Sequence, residues 1–187
     1  IRTPLLGRGN LSNVLAGVAV ALEFGIPLEA VAERAAALTA ADRRGAVRRL
    51  KGGVTLIDDS YNSSPTALVQ ALDVVARETR AARKVAVLGE MLELGEHASE
   101  LHEASGRAAA AAGVRLLFAI GGQPARVLAG SAIAAGMPAS SVTYLENSEQ
   151  AVPVVLAAVR AGDLVLVKGS RGMRTDLVAD RIAAEFA

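Results

Sequence analysis

The sequence predicts an α/β protein whose mostly parallel sheet is covered by helices on both faces, preceded by a short helical segment. Two observations carry this expectation. Five short β-rich runs (residues 54–58, 85–88, 116–120, 142–145 and 164–167) are separated by Ala-rich stretches long enough for crossover helices. Three of those runs lead directly into glycine, at Gly89, Gly121 and Gly169, as where parallel strands hand over to ligand-binding loops.

Upstream of the first run, Leu11, Leu15, Val18 and Leu22 recur at helical spacing. Asn10 is positioned to cap that helix and Gly25 to end it, and a second helix follows Pro27 through Val31 and Ala35 toward Leu38. The stretch TAADRRG, residues 39–45, loses the periodicity and concentrates charge. A domain boundary is expected there, giving a helical part over 1–44 and an α/β part over 45–187, although 187 residues also suffice for a single large domain.

Composition narrows the classes of function. Twenty Lys and Arg balance nineteen Asp and Glu, with no block of like charge, so no basic footprint for nucleic acid or an anionic membrane is present. Aromatic residues make up 3%, too few for a base-stacking surface along single strands. No apolar run approaches the roughly 18 residues a membrane-spanning helix needs. The absence of cysteine removes disulfides and thiolate metal sites, and it fits a cytoplasmic enzyme. The first residues carry neither a signal peptide nor an initiating Met, as in a piece of a longer protein.

Four segments can carry chemistry. Asp58-Asp59-Ser60-Tyr61-Asn62-Ser63-Ser64-Pro65 follows the apolar run VTLI and belongs at a strand's carboxyl end. Part of it reads as a helix start: Ser63 or Ser64 caps, Pro65 fills the first turn, and Leu68, Leu72 and Val75 face the core. That leaves two adjacent carboxylates and a tyrosine, which can bond ribose hydroxyls, support a metal-bound phosphate through water, or stack on a base. Lys168-Gly169-Ser170-Arg171-Gly172-Met173 precedes another helix and offers cations, a hydroxyl and backbone amides to an anion, or is an ordinary basic loop. Residues 89–95, GEMLELG, form either a substrate wall or a loop tucked under the next helix. Arg43 and Arg44 either clamp a phosphate or are solvated linker charges.

Two exclusions sharpen the picture. His97 and His102 lie five apart and point to different helix faces, so no metal site is expected from them. The chain contains no G-x-x-x-x-G-K-[ST] phosphate loop, no G-x-G-x-x-G fingerprint and no G-x-S-x-G elbow. It lacks the phosphate cradle of an independent ATPase.

In order along the chain, GRGNLSNVLAGVAVAL, LIDDSYNSSPTAL, VAVLGEMLELGE and LVLVKGSRGM resemble the Mur ligases. Within them the resemblance runs to the branch that joins D-alanyl-D-alanine to UDP-N-acetylmuramoyl-tripeptide in peptidoglycan precursor synthesis. The resemblance implies that residues 1–44 are the last helices of a central ATP-binding domain and 45–187 a Rossmann-like C-terminal domain. It implies ATP as the phosphoryl donor, with magnesium held mainly by residues outside this chain, and no activity for this portion alone. The missing N-terminal and central domains would be its partners, with no nucleic acid and no membrane insertion. Asn10, Asn13, Arg44, Asp59, Tyr61 and Asn62 are the implied nucleotide-binding residues. Lys168, Ser170 and Arg171 are implied beside the reacting centre in supporting roles, and Glu90, Met91 and Ser170 beside the amine-bearing substrate. Two positions depart from the pattern: Gly9 stands where a His usually precedes the first Asn, and Glu90 replaces the usual Asp. A folylpolyglutamate synthetase-like ligase and a non-catalytic α/β binding module are the competing readings.

Overall fold

A computed structural model describes residues 1–187, and the chain divides into two compact units, residues 1–41 and 42–187. The first holds α1 (Gly7–Glu23) and α2 (Leu28–Ala36). Helix α1 ends at Gly25, whose φ of +72° favours glycine. The amides of Gly25 and Ile26 donate to the carbonyls of Leu22 and Ala21, which closes the last turn. The start differs from expectation. Asn10 does not cap α1; the helix begins at Gly7, and the Asn10 side-chain amide donates back to the Leu6 carbonyl at 2.8 Å, a bond available only inside a helical turn. None of the residues of α1 is buried, and Leu11, Leu15 and Leu22 are about half exposed.

The second unit is built on one six-stranded sheet in the order β1-β2-β6-β3-β4-β5. Its strands are β1 (Ala46–Arg49), β2 (Thr55–Asp59), β3 (Arg83–Gly89), β4 (Leu116–Ile120), β5 (Val142–Leu145) and β6 (Asp163–Lys168). All pairings are parallel except β1 with β2. The five expected runs are the five parallel strands. Strand β1, AVRR, is an addition: only two apolar residues precede two arginines at the sheet edge, so it never reads as a buried run, and its charges suit an edge.

The helices α3 (Pro65–Arg77), α4 (Ala98–Ala111), α5 (Gln123–Ala134), α6 (Ser148–Ala158) and α7 (Asp176–Glu185) divide between two faces. Leu68, Leu72 and Val75 of α3 join residues of α4 and α5 over Ile57, Ala86, Leu88, Leu164 and Leu166. Val155 of α6 and Val178 and Ile182 of α7 join Leu56, Val85, Val87, Val165 and Val167 on the other side. Alternate residues of each central strand thus feed different cores, which is why those strands read as unbroken apolar runs. The start of α3 is set locally: the Ser64 hydroxyl accepts from the Ala67 amide and Pro65 takes the first helical position.

Strand β6 sits between β2 and β3, yet the helix after β6 covers one face and the helices after β2 and β3 the other. The chain therefore leaves these three neighbouring strands in opposite directions and opens a crevice at their carboxyl ends. Ligands of open α/β sheets bind at such switch points.

Candidate functional site

Three loops meet at this crevice: residues 59–64 after β2, 89–95 after β3 and 169–173 after β6. Their approach is close because two of them begin with glycine. A Cβ on Gly89 would lie 2.7 Å from Thr175 Cγ2, and one on Gly169 would lie 3.0 Å from the Gly89 Cα.

The strand pleat divides the paired aspartates. Asp58 is fully buried; its Oδ1 accepts from the Ser60 hydroxyl at 2.6 Å, and Arg48 lies 3.6 Å from Oδ2. Its work is structural. Asp59 points to the opposite face, where its Oδ2 accepts from Lys168 Nζ at 2.6 Å. Lys168 is 3% exposed and donates also to the Asn62 carbonyl at 3.0 Å, so one ammonium ties the β2 loop to the end of β6. Burial holds the Asp59 carboxyl above its ordinary pKa, opposed by the charge and hydrogen bond of Lys168.

Beside this pair the Tyr61 ring meets two guanidiniums. Arg44 lies 4.2 Å from the ring centroid and Arg171 5.4 Å, and Arg171 Nη1 also donates to the Tyr61 hydroxyl at 3.3 Å. Neither guanidinium is paired with a carboxylate, although both are exposed. Arg43, the neighbour in sequence, turns away: at a φ of +55° its side chain bonds Asp176 and, at 3.0 Å, Asp180 of α7. Of the two adjacent arginines, Arg44 is the one at Tyr61.

The loop after β3 forms the far side. Glu90 Oε2 accepts from the Gly122 amide at 2.6 Å, at the start of α5, so its carboxylate bridges to the loop after β4. The Ser170 amide donates to the Glu90 carbonyl at 3.2 Å, and the Ser170 hydroxyl accepts from the Leu92 amide at 2.9 Å. Ser170 therefore fastens the β6 loop to the β3 loop. Met91 is 1% exposed and packs into the core beneath the loop, whereas Leu92 is 41% exposed and reaches over Gly172. The Met91 side chain is an anchor, and Leu92 is the apolar member of the loop that faces outward.

Asp59, Tyr61, Asn62, Arg44, Glu90, Lys168, Ser170 and Arg171 are thus gathered at one end of the sheet. Asn10 and Asn13 belong to α1 of the other unit. His102, set aside as a metal ligand, is buried and accepts from the Met91 amide, a role with no sequence signal because its partner is backbone. No group of three or more His, Asp or Glu side chains lies together in this chain.

The chain is an open α/β domain with polar and cationic residues at the switch point of its sheet, where ligands of such sheets bind. Residues 43–171 match the family model for the Mur ligase, glutamate ligase domain. The UDP-N-acetylmuramoyl-tripeptide--D-alanyl-D-alanine ligase of Mycobacterium bovis is 35% identical over 99% of this chain and 40% of its own length. Among solved structures, MurF ligase from Thermotoga maritima in complex with ADP matches 97% of the chain and 39% of its own, with a TM-score of 0.78 and 26% identity. MurF from Acinetobacter baumannii matches 98% and 40%, with a TM-score of 0.84 and 25% identity. The chain belongs to the Mur ligase family. It spans about 40% of the length of the curated relatives it matches.

Proposed function

We propose that this chain is the C-terminal portion of an ATP-dependent ligase that joins D-alanyl-D-alanine to UDP-N-acetylmuramoyl-tripeptide in the cytoplasm, during synthesis of the peptidoglycan precursor. The observation that carries the reading is the grouping of Asp59, Lys168, Tyr61, Arg44 and Arg171 at the sheet's switch point in a chain of this family. Two unneutralised guanidiniums around an aromatic ring suit a polyphosphate and its nucleoside better than a neutral ligand.

In this reading, ATP transfers its terminal phosphoryl group to the carboxylate of the tripeptide, giving an acyl phosphate and ADP. The dipeptide's free amine then attacks the acyl carbon, the C–O bond to phosphate breaks, and the amine proton leaves, giving an amide and inorganic phosphate. Magnesium would supply charge neutralisation at the transferred group and would be held mainly by residues outside this chain. Asp59 and Asn62 face the ribose, Tyr61 lies beside the nucleotide, and Arg44 meets the phosphates. Lys168 and Arg171 set the field near the reacting carbonyl, Ser170 fixes the loop that carries them, and Glu90 shapes the wall for the dipeptide. Asn10 and Asn13 serve the adenine side. The half-exposed leucines of α1 suit packing against the remainder of a longer protein, where residues 1–44 complete the central ATP-binding domain. Without that remainder the chain has no phosphate loop and does not turn over.

The product decides the matter. The full-length protein is incubated with ATP, UDP-N-acetylmuramoyl-tripeptide and D-alanyl-D-alanine, and in parallel with a reduced folate and glutamate, and the products are identified by mass. A pentapeptide product in the first mixture alone is expected. A glutamylated folate instead would replace this reading with a folylpolyglutamate synthetase-like one.

A further inference from the structure

The loop after β3 is held by groups on three different elements, and one of them is a histidine the reaction scheme does not use. The Glu90 amide donates to the Ile120 carbonyl at 2.8 Å and the Leu92 amide to the Ser170 hydroxyl at 2.9 Å. Between them the Met91 amide donates to His102 Nε2 at 2.9 Å. His102 is fully buried on α4, and its other nitrogen lies 2.6 Å from the Ala98 carbonyl, one turn earlier. A carbonyl only accepts, so Nδ1 carries the proton and Nε2 offers its lone pair to Met91. The ring is fixed in rotation and tautomer by α4, and it transmits that fixity to the loop.

We infer that His102 is a positioning residue for the amine-bearing substrate, acting through the Met91 amide to set the height of the Glu90–Leu92 wall against the loop of residues 168–172. The inference rests on the proposed ligase reading for the identity of the substrate. Three features support the choice of His102 over generic packing. It is a buried polar ring with both nitrogens satisfied, its acceptor meets backbone rather than an apolar neighbour, and the segment it holds touches the opposing loop at three points, Ser170 with Glu90, Ser170 with the Leu92 amide, and the Leu92 side chain with Gly172. On the nucleotide side, Asp59 bonds Lys168, and Tyr61 meets Arg44 and Arg171, none of them on the loop after β3, so loss of the anchor moves the dipeptide wall first.

Three substitutions separate the functions of the ring. His102→Gln keeps an acceptor at the Nε2 position, whereas His102→Asn keeps only a donor toward Ala98, and His102→Leu keeps neither. In the full-length enzyme, the KM for D-alanyl-D-alanine should rise about tenfold in the Asn and Leu variants, with the KM for ATP within about twofold of wild type and the Gln variant close to wild type. Equal behaviour of Asn and Gln, or a parallel rise of both KM values, would overturn the inference. Amide hydrogen exchange of the peptide spanning residues 89–95 gives a second reading that needs no substrate. Exchange should be faster in the Asn and Leu variants and unchanged in Gln; unchanged exchange in Asn would also overturn it. A wild-type enzyme that ignores the dipeptide while the exchange pattern holds would sink the substrate assignment and leave the anchor standing.

Discussion

Lys168 and Asp59 are register partners on adjacent parallel strands and are also joined side chain to side chain at 2.6 Å. The backbone ladder thus fixes the separation of the ion pair, and the pair in turn closes the end of the ladder. Burial raises the Asp59 carboxyl above its ordinary range while Lys168 pulls it down. A carboxyl raised in the folded state binds its proton more tightly there than in the unfolded chain. Its contribution therefore erodes as pH rises from the unfolded value to the folded one, and is flat above. Lys168→Met removes the opposing charge and lifts the carboxyl further. The Met variant should lose stability over a wider span of rising pH than wild type in thermal melts. Identical slopes would show that Lys168 does not carry the counter-charge.

At the nucleotide side, Asp59→Ala in the full-length enzyme should raise the KM for ATP while leaving the domain folded. Tyr61→Leu should raise it about threefold, the scale of an exposed cation–aromatic contact. Tyr61→Phe loses only the Arg171 bond and should stay near wild type. An unchanged KM in Asp59→Ala would remove that residue from the site.

A stability test is available far from the crevice. Arg83 grips Asp163 with two bonds, 3.0 and 2.7 Å, and also donates to the Ala158 carbonyl; Asp163 is 2% exposed. Arg83→Ala leaves a buried carboxylate with the Arg160 amide but no counter-charge and should cost roughly 3 kcal/mol in denaturant unfolding. A cost within experimental error would mean water replaces the guanidinium.

Gly121 has a φ of +143°, and a Cβ there would lie 2.6 Å from Glu90 Cβ. Gly121→Ala should displace Glu90 from the Gly122 amide and cost about 1–3 kcal/mol. Gly172→Ala meets only the tip of Leu92 at 2.9 Å, which can swing aside, and should be nearly neutral. Comparable losses in the two variants would contradict this distinction.

The parallel sheet is legible in the sequence because its central strands are buried on both faces and read as plain apolar runs. Strand β1 is not, because AVRR is short, lies at the sheet edge and is half arginine, with no apolar run to mark it. Within DDSYNSSP, the helix start at Ser64 and Pro65 follows from capping chemistry. The division of labour between Asp58 and Asp59 follows from the pleat, which sends neighbours to opposite faces. Arg43 and Arg44 cannot be told apart by type or spacing; the positive φ of Arg43 is what parts them. His102 is invisible to motif reasoning because it pairs with a backbone amide, and spacing reports only on side chains that act together.

In the proposed function the crevice serves an ATP-driven ligation to D-alanyl-D-alanine. Phosphate release by the full-length enzyme, supplied with ATP and UDP-N-acetylmuramoyl-tripeptide, tests it most directly. Release should appear when D-alanyl-D-alanine is added and should be absent when the dipeptide is omitted or replaced by glutamate. Absence of dipeptide-dependent release would contradict the account.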